Sequence, residues 1–153
     1  MIVTRVFESK IDCPVESLWE FHSSAEALKI LTPPGRKIEV LSEDLEVREG
    51  ALHVLRVRQF GIPLVWKARI SEVDPPMGFT DTAERSPFKS WRHRHEFISA
   101  EGGSILRDTV TYEAPFGPFG DLARVLFIDR DIKRLFAYRH DATRQALVPV
   151  TGT

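Results

Sequence analysis

His93 and His95 sit one residue apart in the stretch "SWRHRHEFIS", Ser90 to Ser99, bracketed by Trp91 and Phe97. Imidazoles can ligate a metal, move a proton near neutral pH, or hydrogen-bond a ligand. The choice depends first on where they point. On a β-strand, alternation puts Trp91, His93, His95 and Phe97 on one face. Arg92, Arg94 and Glu96 take the other face, and three charges in a row mark it as the solvent side. Both histidines therefore face the interior, between two aromatics.

The next strand brings a carboxylate to them. A tight turn around Glu101-Gly102 sets Phe97 opposite Leu106, His95 opposite Asp108, His93 opposite Val110 and Trp91 opposite Tyr112. A turn centred on Gly102-Gly103 slides Asp108 against Phe97 instead. The inward set is apolar except for Asp108, and a carboxylate on an inner face needs a partner. His95 is the nearest in the first register. A His95–Asp108 pair, with Tyr112 as proton donor, is the arrangement of a general acid–base centre. The alternatives are a polar band on the wall of an apolar pocket and a core hydrogen bond without a role. A zinc site takes three or four protein ligands. Only Asp108, with His53 or Tyr112, stands near the pair, and no cysteine does, so no metal and no cofactor are expected.

Arg139, in "FAYRHD", falls near the middle of the apolar face of the last helix, with Asp129 toward one side of it. An inward arginine must meet an acid, a backbone carbonyl or a ligand carboxylate. The expectations are a salt bridge to Asp108, Asp129 or a strand end, or an anchor for an anionic headgroup. Phe116 and Phe119 lie in the loop "YEAPFGPFG", where they either cap the core or gate a cavity mouth, with "LTPPG" as the facing rim. Phe127 and Tyr138 fall on the polar side of the same helix among Arg134, Asp141 and Gln145. Aromatics there suit a protein partner or a homodimer.

The elements that must hold these groups follow from periodicity. Residues 2–11 read as a strand. "DCPVESLWEFHSS" opens a helix, with Asp12 or Cys13 at the cap and Pro14 in the first turn. Val15, Leu18, Trp19 and His22 share its inner face. "SAEALKIL" is a second short helix, stopped by Pro33-Pro34-Gly35. The period then becomes two through "RKIEVL", "ALHVLRVRQF" and "PLVWKARISEV", the last two joined around Gly61. Leu55, Val57, Leu64, Trp66, Ala68 and Ile70 are their inner residues. "MGFTDTAER", Phe88–Ser99 and "SILRDTVTYE" complete a run of six antiparallel strands. One long helix is expected from Asp121 to about Leu147, with an apolar face of Leu122, Val125, Leu126, Ile128, Ile132, Leu135, Phe136, Ala142 and Ala146. A curved antiparallel sheet must cover its concave side, and this helix alone can do so.

Composition narrows the class. The chain has 153 residues, one domain's worth, and a formal net charge of −1, which is not the basic excess of a nucleic-acid binder. Cys13 is the lone cysteine, so no disulfide forms within the chain. No signal peptide, no membrane span and hence a cytoplasmic protein without stable membrane insertion are expected. Glycine-rich phosphate loops, Gly-x-Ser-x-Gly and Cys-x-x-Cys do not occur.

Four stretches carry a resemblance: "CPVESLWEFHSSAEALKILTPP", "GFTDTAERSPFKSWRHRHEF", "LRDTVTYEAPFGPFG" and "LFAYRH". They resemble the SRPBCC superfamily of START-related, helix-grip domains, and more narrowly its bacterial polyketide cyclase/dehydrase-like ligand-binding group. The resemblance spans nearly the whole chain as a single domain, 1–153. It implies an α+β helix-grip fold: a curved seven-stranded antiparallel sheet around a long C-terminal helix, two short helices after the first strand, and a deep cavity for a lipid, polyketide or quinone-like molecule. It carries His93, His95, Asp108, Tyr112 and Arg139 as pattern positions. Trp66, Trp91, Phe97, Leu106, Phe116, Phe119, Ile132 and Phe136 are the expected apolar lining. Three functions are then open: a non-catalytic binder of a small hydrophobic molecule, a cyclase or dehydratase using His95, Asp108 and Tyr112, and a protein-interaction module using the outer face of the helix.

Overall fold

The computed structural model describes residues 1–59 and 61–148; Phe60, the last residue of the expected strand "ALHVLRVRQF", lies outside them. The order is β1 (Ile2–Ile11), α1 (Val15–His22), α2 (Ala25–Ile30), β2 (Lys37–Val40), β3 (Leu52–Gln59), β4 (Ile62–Asp74), β5 (Gly78–Arg85), β6 (Ser90–Ala100) and β7 (Gly103–Glu113). The helical backbone then runs from α3 (Gly117–Ala123) through one π-helical turn (Arg124–Ile128) into α4 (Asp129–Leu147). The seven strands form one antiparallel sheet in the order β1-β7-β6-β5-β4-β3-β2. The first and last strands thus meet, and the hairpins fan out from them.

The β6–β7 hairpin has the register expected from a turn at Glu101-Gly102. Ala100 pairs with Gly103, His95 with Asp108 and Trp91 with Tyr112. Gly102 takes a φ of +75°, which a two-residue hairpin turn requires and only glycine adopts freely. The long helix starts earlier than expected. Gly117-Pro118 reads as loop chemistry, yet proline is well suited to the first helical turn, where its missing N–H is not needed. Gly120 abuts the backbone here: a Cβ would stand 1.7 Å from the Pro115 carbonyl oxygen.

Two apolar clusters fill the concave side. One gathers Ile11, Leu18, Ile70, Phe79, Phe97 and Leu106 beneath α1. The other gathers Trp91, Val110, Tyr112, Ile132 and Phe136 beneath α4, with Phe7 stacked on Phe136 at 4.7 Å. The expected apolar face of the helix is corrected at its N-terminal end. Ile132 and Phe136 are buried, but Leu122, Val125 and Leu126 are more than half exposed, and Ala146 also faces out. The inward row steps instead through Gly120, Arg124, Ile132, Phe136, His140 and Thr143. Among the described residues no helix is long and apolar enough to cross a membrane.

Candidate functional site

Alternation along β6 places Trp91 in one apolar cluster and Phe97 in the other. The two histidines between them lie in a polar layer. β5 contributes Asp81, whose neighbours Phe79 and Ala83 also face inward. β7 contributes Asp108, and α4 contributes Arg139 and His140.

Hydrogen bonds join all of these groups but Arg139, in two sets. Ser9 Oγ and His140 Nδ1 lie 2.8 Å apart. His140 Nε2 donates to Asp108 Oδ2 at 2.7 Å, and His93 Nε2 donates to Asp108 Oδ1 at 2.7 Å. His95 Nε2 donates to Asp81 Oδ2 at 2.7 Å, while His93 Nδ1 lies 3.4 Å from the same oxygen. One carboxylate therefore ties β6, β7 and α4 together, and the other ties β5 to β6. The expected pairing of His95 with Asp108 is corrected: they are opposite in register, but the nearest approach is 3.6 Å, and Asp108 is taken by its diagonal neighbour His93.

Burial shapes the charges. Desolvation pushes the Asp108 carboxyl up, but the hydrogen bonds from His140 and His93 and the nearby imidazoles overcome it and hold it well below the usual carboxylate range. Asp81 is also held low, burial being outweighed by His93 and His95. The His95 imidazole is pushed down by burial and then by His93. His22, at the end of α1, is pushed down to about 4 by burial, with its Nδ1 2.8 Å from the Leu18 carbonyl oxygen.

Two polar atoms in this layer are unsatisfied. His95 Nδ1 and Arg139 Nε are both buried without a hydrogen-bond partner. The Arg139 guanidinium lies 5.5 Å over the Phe136 ring, and among the described residues no carboxylate comes within salt-bridge distance of it. The expected salt bridge from Arg139 to Asp108 or Asp129 does not form. Asp129 instead takes Arg5 at 2.9 Å, Arg124 at 2.7 Å and the Tyr112 hydroxyl. Burial lowers the Arg139 guanidinium from its ordinary value.

His22, His93, His95, Asp108, Arg139 and His140 border a void of about 20 Å³, which leaves room for about one water. This void is far smaller than the deep cavity that the resemblance implies. Trp66, Trp91, Tyr112, Ile132 and Phe136 pack on one another instead of lining open space. Leu106 does border the void, whereas Phe97 belongs to the cluster beneath α1. Phe116 and Phe119, expected at the cavity mouth, point into solvent. A surface groove of about 210 Å³ between Lys37, Ile38, Glu39, Arg56 and Arg58 shares no lining residue with the layer.

Asp81, His93 and His95 bring one donor atom each within 4.8 Å of one another, close enough to be weighed as metal ligands. The two imidazoles, however, lie 3.7 Å apart at an interplanar angle of 31°. His95 Nε2 and His93 Nδ1 both approach the same Asp81 oxygen, at 2.7 Å and 3.4 Å, so the carboxylate itself occupies the point where the two nitrogens meet. The arrangement suits proton and hydrogen-bond chemistry better.

Sequence reasoning passed over Asp81 and His140. The signals were present: Asp81 alternates with Phe79 and Ala83, and His140 lies one helical turn beyond Phe136.

Comparison with known proteins follows the same lines. A family model described as polyketide cyclase / dehydrase and lipid transport matches residues 11–137. Curated protein sequences give no match. Among solved structures, protein CV1439 from Chromobacterium violaceum is similar at a TM-score of 0.75 and 16% identity, covering 95% of this chain and 98% of its own. TTHA0849 from Thermus thermophilus is similar at 0.71 and 19%, over 98% and 100%. The di-domain ARO/CYC BexL from the BE-7585A biosynthetic pathway is similar at 0.73 and 13%, over 97% of this chain and 50% of its own. At these identities the likeness is one of fold.

Proposed function

The chain belongs to the polyketide cyclase / dehydrase and lipid transport family of the SRPBCC superfamily, and from that premise we propose that it binds a small hydrophobic molecule bearing one anionic or strongly accepting group, held between the sheet and α4. The single observation that carries this reading is Arg139. A half-buried guanidinium with no carboxylate partner borders a void beside the free Nδ1 of His95. Arginine pairs with planar anions through two parallel hydrogen bonds, and a ligand carboxylate or enolate oxygen supplies the missing acceptor. Burial pushes His95 and His22 down, so neither imidazole brings a positive charge that would compete with Arg139 for the anionic head. The apolar body takes the place of side chains among Trp66, Trp91 and Phe136, because the void holds only the head.

A second reading, a cyclase or dehydratase, has one observation in its favour. Asp81 fixes His95 as the Nε2–H tautomer, so Nδ1 presents a lone pair to the void, the position of a general base. Tyr112, bound to Asp129, is not placed to donate a proton in that step.

Calorimetric titration with dodecanoate and with dodecanol tests the binding reading. The expected result is at least about tenfold tighter binding of the acid, lost in Arg139→Leu. Equal affinity for acid and alcohol, or binding unchanged by Arg139→Leu, would overturn it.

A further inference from the structure

The segment from Phe116 to Phe127 carries six large apolar side chains that the fold does not bury. Phe116 and Phe119 are 83% and 82% exposed, and Leu122, Val125, Leu126 and Phe127 are each more than half exposed. The same twelve positions hold only two charged residues, and both are satisfied within the chain. Asp121 binds the N-terminal ammonium at 3.1 Å, and Arg124 is buried against Asp129 at 2.7 Å. The outer face of this helix is therefore mainly apolar, with the paired Asp121 as its one partly exposed charge. Six such side chains, three of them aromatics of ~150–250 Å² each, present roughly 700 Å². That exceeds the ~300–600 Å² of the largest patch on a typical monomer and approaches the ~800 Å² each partner gives to a standard protein interface.

We propose that this face is the contact of a symmetric homodimer, in which α3 and the π-turn pack antiparallel on the same segment of a second copy. The spacing supports a helix partner. Phe119, Leu122 and Leu126 repeat at intervals of three and four, the seam of a paired helix, and the small Ala123 beside them leaves a hole for a facing knob. An aromatic-rich core without charge is the composition of such interfaces. The orientation follows from charge. Arg130, Lys133 and Arg134 are all exposed on the turns that follow, and the nearby Asp131 is engaged by Arg36 at 2.8 Å. A parallel pair would set these basic clusters against each other. An antiparallel pair, related by a two-fold axis near Leu122 and Ala123, puts them at opposite ends and places Phe119 against Leu126 of the second copy.

Sedimentation velocity of the full chain is expected to show a dimer at micromolar concentration. The double variant Phe119→Asp/Leu126→Asp is expected to be monomeric, self-association falling at least about 100-fold. Both positions are exposed, so far-ultraviolet circular dichroism stays native in the variant. Orientation is read by cysteine pairing, for which buried Cys13 gives no background. A mixture of Phe119→Cys and Leu126→Cys chains forms a disulfide between unlike chains faster than Phe119→Cys forms one with itself. A wild-type protein that stays monomeric to roughly 100 μM, well above the micromolar range in which the dimer is expected, overturns the proposal. If that monomer floats with phosphatidylcholine–phosphatidylglycerol vesicles and the double variant does not, the face serves a lipid surface instead. Self-pairing of Phe119→Cys in preference to the mixture overturns the antiparallel arrangement.

Discussion

His93 and His95 lie tilted against each other with their ring centroids 3.7 Å apart, yet they donate to different carboxylates, His93 to Asp108 and His95 to Asp81. The two imidazoles are thus held on separate leashes. His93 belongs to a bridge that reaches α4 through Asp108 and His140, whereas His95 answers only to the neighbouring strand.

Replacing the bridging carboxylate tests that division. Asp108→Asn keeps one acceptor but turns an amide N–H toward the second imidazole N–H, so one of the two buried donors is stranded. The expected loss is about 3 kcal/mol, in the range for breaking a buried charged hydrogen bond. Asp81→Asn, with a single close donor and partial exposure, is expected to cost less than half as much. Urea unfolding of both variants checks the order.

Stability is expected to fall with pH in two stages. Burial holds His22 down to about 4, whereas an unfolded imidazole takes its proton near ~6.5. Between these values the unfolded chain binds more protons, so stability is full above the upper value and falls as pH drops through the window, by up to about 3 kcal/mol. His95, also pushed down by burial, acts with the same sign. Asp81 and Asp108 are held below their unfolded value, so their contribution is present above ~4 and is lost only as pH falls further, through their folded values. His22→Gln should shrink the upper stage to the part that His95 supplies and leave the lower one. Urea midpoints between pH 7 and 3 show whether it does.

Arg139→Leu separates binding from folding. The guanidinium forms no salt bridge among the described residues, and its Nε is unsatisfied, so the change removes little that stabilises the fold. A stability change within about 1 kcal/mol is expected, together with loss of the affinity for hydrophobic acids. A loss of several kcal/mol would mean that the charge is compensating Asp81 and Asp108 rather than waiting for a ligand.

Gly120→Ala is expected to destabilise by about 2–3 kcal/mol, because the added methyl collides with the Pro115 carbonyl oxygen and must open the turn that leads into α3. Thermal unfolding followed by circular dichroism measures it.

Tyr112→Phe is expected to cost about 1–2 kcal/mol through the lost hydrogen bond to Asp129. The ligand affinity should not change, since that hydroxyl faces the Arg5–Asp129–Arg124 cluster and not the void. A titration that weakens markedly in this variant would place Tyr112 at the ligand.

Much of this arrangement was legible in the residues. The β6–β7 register followed from a two-residue turn that needs glycine at residue 102, and the inward direction of both histidines followed from strand alternation. The side-chain partners did not follow, because register fixes Cα positions while an imidazole reaches its diagonal neighbour as easily as its opposite one. Register alone pairs His95 with Asp108, whereas its side chain takes Asp81. The outward turn of Phe116 and Phe119 was equally hidden. Phe116 takes a left-handed φ of +69° at the entry to α3, and Gly120 packs back on the Pro115 carbonyl, a local turn geometry with no periodic signature. The filled cavity was unreadable for a related reason: pattern identifies the lining residues, but whether they meet depends on how tightly the sheet curls.

The polar layer cuts across the core. On β6 it lies between Trp91 and Phe97, and on β7 between Val110 and Leu106, so each apolar cluster closes on its own side of it. Apolar contacts do not cross such a layer, and the bridges that do are hydrogen bonds water can replace. The half beneath α4 can therefore lose its packing while the half beneath α1 keeps it. Amide exchange would then show two protection classes divided at His93–His95, and a guest would gain entry through partial melting of one half rather than through a standing doorway.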